Sequence, residues 1–226
     1  MIKIPQADLR ILNTNFQKFR TACIKRQNND RNYFVSQLNR FEKKYKQAGL
    51  ENNFAETLFS FAQQMRKYEI KDFPGIIYSI IVKMPFITLE RKETFALSAL
   101  EFAHEQGDSI HALARIVDLK ILYKQSKQNH KYNKMLFQEE KELQKICSDF
   151  SNAKENFRTH SKEHNSLNRY QLQLAKTRVD MSKVLLKLDP KRAKKLLKKA
   201  RITFELQARQ KEVEFVDAML LEIEKI

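Results

Sequence analysis

Apolar residues return along this chain at alternating spacings of three and four, stripe after stripe. That spacing puts them on one face of an α-helix, and no stretch shows the two-residue alternation of a half-buried strand. Pro5 suits a first helical turn, and Leu9, Leu12, Phe16, Phe19 and Cys23 form the first stripe. Asn28, Asn29 and Asp30 make a turn with Asp30 as N-cap, and Phe34, Leu38, Phe41 and Tyr45 follow, closed by Gly49. Phe54, Leu58, Phe61, Met65 and Tyr68 form the third stripe, and a shorter helix over 74–83 is halted by Pro85.

The second half continues in the same way. A helix over 89–106 carries Phe95, Ala99, Phe102 and Ala103, and Gly107-Asp108 turns the chain. Ile110, Leu113, Ala114, Val117 and Ile121 line the next helix, and Tyr132, Leu136, Leu143 and Ile146 the one after. Leu167, Tyr170, Leu174, Met181, Val184 and Leu188 form a long stripe. Asp189-Pro190 then reads as an N-cap acceptor followed by a proline at the first helical position. Ala193, Leu196, Leu197, Ala200 and Phe204 follow, and Val213, Val216, Leu220 and Ile223 line the last helix.

The expected fold is therefore all-α, with about ten amphipathic helices paired as antiparallel hairpins and stacked into an α-solenoid. Three glycines and four prolines in 226 residues are too few for the many tight turns of an all-β domain. Residues 1–86 read as N-terminal hairpins continuous with a repeat region over 87–226. Within the latter, 151–165 reads as a polar connection, with Ala153 and Phe157 its only apolar residues.

Asp189-Pro190-Lys191-Arg192-Ala193, with Ala200 seven residues after Ala193 and Leu197 between them, resembles the turn and second-helix start of a tetratricopeptide-type (TPR-like) helical repeat. Ala103, Gly107-Asp108 and Ala112 are similar to another copy. The resemblance covers residues 92–226 in a degenerate form: both copies lack the family's first-helix aromatic and glycine, and the two turns are 81 residues apart. It implies an α-solenoid that holds peptides or proteins in its groove.

Charge narrows the partner. The net charge is +16 and falls in two blocks: residues 1–50 carry +8 and residues 151–212 carry +11, around a neutral 51–150, while 213–226 carry −3. Such blocks attract acidic proteins, nucleic acid or anionic lipid. The densest run is Lys191, Arg192, Lys194, Lys195, Lys198, Lys199 and Arg201, the candidate anion- or partner-binding residues. The alternative for this run is the solvated face of a packed helix. A membrane-surface helix is a third reading, disfavoured because Ala193, Leu197 and Ala200 suit packing. Tyr33, Phe34 and Tyr45 lie among Arg31, Arg40, Lys43 and Lys44; such a mixture can stack bases, but helical spacing assigns Phe34, Phe41 and Tyr45 to the core.

Little else suggests chemistry. His160-Ser161-Lys162-Glu163-His164 matches the H-x-x-E-H string of inverzincin metalloproteases, but its polar flanks read as a solvated loop. His104 and His111 flank the Gly107 turn and read as surface histidines. Glu139, Glu140 and Glu142 read as a solvated face with Lys141 and Lys145. Glycines at 49, 75 and 107 alone build no phosphate-cradling loop. No catalytic residues, metal or cofactor are expected. Cys23 and Cys147 stand outside any metal spacing and suit a reducing, cytoplasmic setting. No apolar run approaches the roughly 20 residues of a membrane span, and no secretory leader is read at the N-terminus. The expectation is a non-enzymatic adaptor or scaffold for a protein or peptide partner, an acidic one; the alternative is a basic helical protein that binds RNA or DNA.

Overall fold

The computed structural model describes residues 28–66, 73–84, 87–156 and 161–224, with scattered positions between 7 and 21. Among the described residues there are nine α-helices and no strand. They are α1 (Asn28–Gln47), α2 (Glu51–Arg66), α3 (Phe73–Lys83), α4 (Leu89–Glu105), α5 (Ser109–Gln125), α6 (Asn129–Asn156), α7 (Ser161–Leu185), α8 (Pro190–Leu206) and α9 (Gln210–Ile223). The chain divides into two compact units, Met1–Gly107 and Asp108–Ile226. Within each unit, helices pack mainly on their neighbours in sequence, as short connections dictate.

In the first unit α1 packs on α2, α2 on α3 and α3 on α4. Its core is aromatic. Tyr45 stacks on Phe54 at 5.2 Å between ring centroids, and Phe59 lies 4.7 Å from Phe95 and 5.9 Å from Tyr78. Arg66 closes the cluster from the side, with Nη2 2.5 Å from Glu105 and its guanidinium over Phe102. The expected first stripe, Leu9 to Cys23, lies outside the described residues, as do the side chains of Phe34, Leu38, Phe61, Met65 and Tyr68. Asp30, the expected N-cap, lies inside α1, which is described from Asn28.

In the second unit α5 packs on α6, α6 on α7, α7 on α8 and α8 on α9. Ala193, Leu196, Leu197, Ala200 and Phe204 are all buried, as the spacing predicted. Asp189 caps α8, its Oδ1 accepting from the Arg192 N–H at 3.0 Å, with Pro190 at the first helical position. The small residues of α8 admit close approach: Ser182 of α7 donates to the Ala193 carbonyl at 3.2 Å inside the core. Helix also extends into both ends of the polar stretch over 151–165, since α6 runs to Asn156 and α7 starts at Ser161.

Three expectations need correction. In α5 the buried face is Ala112, Leu113, Arg115, Ile116, Leu119, Leu122 and Tyr123, while Ile110, Ala114 and Ile121 are exposed. This helix is apolar on two overlapping faces, and Arg115 conceals the true one by interrupting it. Arg115 is buried with its Nη1 3.0 Å from Asp118 Oδ2, off the angle of a hydrogen bond, and burial lowers its pKa. Leu188 leaves the α7 stripe because the helix stops at Leu185, and it stands 78% exposed in the turn. Glu139 is not on a solvated face. It is 2% exposed, with Lys120 Nζ 2.5 Å and Gln173 Nε2 3.0 Å from its carboxylate.

Candidate functional site

The last three helices concentrate the unengaged charge. On α8 the buried stripe turns the opposite face outward. Lys191, Lys195, Lys198, Ile202 and Leu206 recur there at spacings of four, three, four and four, with Lys199 beside them, and all six are exposed. The remaining cations of the run turn to the flanks and are engaged. Lys194 Nζ donates to Oε1 of Glu224, the C-cap of α9, at 2.9 Å, which, with the nearby charge of Lys198, holds that carboxyl below its ordinary range. Arg201 reaches Asp217 of α9 through Nε at 2.5 Å and Glu205 through Nη1 at 2.6 Å, and the Asp217 bond raises its pKa. The Arg192 guanidinium lies over the Phe137 ring at 5.3 Å. The seven candidates thus separate into structural cations, Arg192, Lys194 and Arg201, and four outward lysines. Among the described residues Lys191, Lys195 and Lys199 have no carboxylate at ion-pair distance.

On the inner side of α8 lies a feature that the sequence did not reveal. A cleft of about 340 Å³ opens between α7 and α9. Lys176, Val179, Asp180 and Lys183 line it from α7, Phe204 from α8, and Lys211, Glu212 and Phe215 from α9. Val179 and Phe204 are buried and form its floor, while Phe215 is a wall 48% exposed. Lys183 Nζ sits 5.3 Å over the Phe215 ring and 3.3 Å from Asp180. Lys176 and Lys211 are exposed at the rim, with no carboxylate at ion-pair distance among the described residues. The cleft offers an apolar seat of one or two side chains beneath a rim on which, with Lys183 paired to Asp180, Lys176 and Lys211 outnumber Glu212. The signal for it was in the sequence as Lys176, Val179 and Lys183 on one helical face, but the partner residues 21 to 39 positions away come together only in the fold.

The other candidates fall elsewhere. Phe41 and Tyr45 are buried and belong to the core; the side chains of Arg31, Tyr33 and Phe34 lie outside the described residues. His160 and the side chains of Glu163 and His164 also lie outside them. His111 is engaged by its own helix cap, with Nδ1 2.5 Å from Asp108 Oδ2. Burial works against the charged form of Asp108, but hydrogen bonds from His111 outweigh it and lower its pKa. Burial raises the pKa of the Cys147 thiol against the opposing charge of Arg178, the environment of an unreactive thiol. Among the described residues no group of three or more His, Cys, Asp or Glu is placed to hold a metal ion. No helix described is long and apolar enough to cross a membrane. No family model, curated protein or solved structure matches the chain.

Proposed function

We propose that this protein is a non-enzymatic helical adaptor that docks an acidic segment of a protein partner in the cleft between α7 and α9. The observation that carries the reading is the pairing of an apolar floor, Val179 and Phe204, and the Phe215 wall with rim lysines at 176 and 211, which have no carboxylate at ion-pair distance among the described residues and outnumber Glu212 beside them. A floor of this kind takes one leucine, methionine or phenylalanine side chain, and the rim favours carboxylates on either side of it. Helices α7, α8 and α9, each packed on the next, supply the frame for such a seat, as expected of a TPR-like solenoid.

Fluorescence anisotropy with the full chain tests this. The probes are blocked octapeptides bearing one leucine, methionine or phenylalanine flanked by glutamates, with matched sets that carry lysine flanks or an alanine anchor. The reading predicts saturable binding of the acidic anchored set at roughly 10–100 μM, and at least about tenfold weaker binding of both matched sets. Phe215→Ala, and separately the pair Lys176→Glu and Lys211→Glu, each weaken the best probe about tenfold. Probes that bind equally with glutamate and lysine flanks, or ignore these substitutions, contradict it. Tighter binding of an RNA or DNA oligonucleotide than of any peptide moves the conclusion to the nucleic-acid-binding alternative.

A further inference from the structure

The outward face of α8 is separate from the cleft, and its make-up points to a different kind of surface. Three observations bear on it. First, the cations at the centre of this face, 191, 195, 198 and 199, are all lysines, whereas Arg201 is ion-paired to Asp217 and Arg192, exposed at the flank, lies over the Phe137 ring. Second, the same face ends in Ile202, 56% exposed, and Leu206, 83% exposed. Third, Leu188, 78% exposed, projects from the turn just before the other end of the helix.

Protein interfaces are depleted in lysine and gather their apolar residues into a continuous core. Nucleic-acid backbones favour arginine, whose planar fork matches phosphate. Neither description fits lysines in a row with isolated aliphatics at the ends of a helix. An anionic lipid surface fits both features: its headgroups attract lysines without demanding fixed geometry, and single protruding aliphatics enter the acyl boundary.

We propose that the outer face of α8 is a peripheral docking surface for anionic lipid bilayers, with Lys191, Lys195, Lys198 and Lys199 facing the headgroups and Leu206 entering the interface. The apolar stripe of α8 stays in the core throughout, so the helix docks without leaving its bundle and nothing spans the bilayer. The cleft remains on the inner side of α8, so a docked molecule still presents it.

Vesicle sedimentation of the full chain tests the proposal. Vesicles of phosphatidylcholine alone are compared with vesicles containing about 30% phosphatidylserine, near the composition of an anionic leaflet. The full chain sediments with the anionic vesicles and not with the neutral ones. Because any strongly basic protein has some affinity for anionic lipid, location is decided by two variants that each remove four exposed lysines. One carries Lys191→Ala, Lys195→Ala, Lys198→Ala and Lys199→Ala; the other carries Lys124→Ala, Lys134→Ala, Lys141→Ala and Lys145→Ala. The first lowers the partition coefficient by roughly several hundred-fold, since each lysine at the surface is worth about a factor of five, and the second lowers it less than about tenfold. Leu206→Ser, which removes an exposed side chain, lowers it several-fold with the salt dependence unchanged. Equal losses in the two lysine variants, no effect of Leu206→Ser, or failure to bind anionic vesicles overturn the proposal. So does an RNA oligonucleotide that binds the full chain more tightly than the vesicles and loses its binding in the α8 variant alone. Circular dichroism shows that each variant retains its helices.

Discussion

Glu139 shows what a single residue of this chain can hide. In sequence it sits in a run of mixed charge, Glu139, Glu140, Lys141 and Glu142, which reads as solvated surface. In the fold it lies among three helices: Lys120 of α5 and Gln173 of α7 both reach its carboxylate, and Arg178 of α7 holds the neighbouring Glu140 at 3.2 Å. These partners are 19 to 38 residues away, and local periodicity carries no information about them. A buried carboxylate that loses its place strands its cation, so Glu139→Ala should destabilise the protein by about 3 kcal/mol in urea unfolding. Glu139→Gln, which keeps a carbonyl for Gln173, should cost less. A loss near zero for Glu139→Ala would mean that the carboxylate is solvated after all. The same limit explains Ile121 and Leu188. Each satisfies an apolar spacing, but α5 offers two such faces and α7 ends before Leu188, and only packing decides between the possibilities.

At the scale of elements the sequence was more legible, because helix ends are local. Gly49, Gly107 and Asp189-Pro190 mark ends and starts where they were expected, and the α8 core stripe needed nothing beyond its own spacing. The turns that escaped notice repeat the geometry of the visible one. The N–H of Leu50 bonds to the Tyr45 carbonyl, that of Gln128 to Tyr123 and that of Arg209 to Phe204, at 2.8–2.9 Å in each case. The residue before each donor is left-handed: Gly49, Lys127 at φ 55° and Ala208 at φ 53°. Two of these three turns thus place a side chain where a Cβ costs about 1 kcal/mol. Lys127→Gly and Ala208→Gly should each raise stability by about 1 kcal/mol, seen as a higher urea midpoint at unchanged slope. Glycine at either position that lowers the midpoint would show that the turn is not left-handed there.

For the molecule as a whole, composition indicated charge without saying how it is used. The two basic blocks fall in different compact units, one within Met1–Gly107 and the other within Asp108–Ile226. In the second unit the charge divides three ways. Some cations brace helix against helix, as Lys194 and Arg201 do to α9. Four lysines face outward from α8, and Lys176 and Lys211 stand at the rim of a cleft with an aromatic wall. That division is the ground for proposing, on an all-helical fold, a seat for acidic, apolar-anchored segments. Hydrogen–deuterium exchange of the full chain, with and without the tightest acidic octapeptide, tests this most directly. The account predicts slower exchange on binding over 176–183 of α7 and 211–215 of α9, and no change across α5 and α6. Slowing on α5 and α6, or none at either side of the cleft while the peptide is bound, would contradict it.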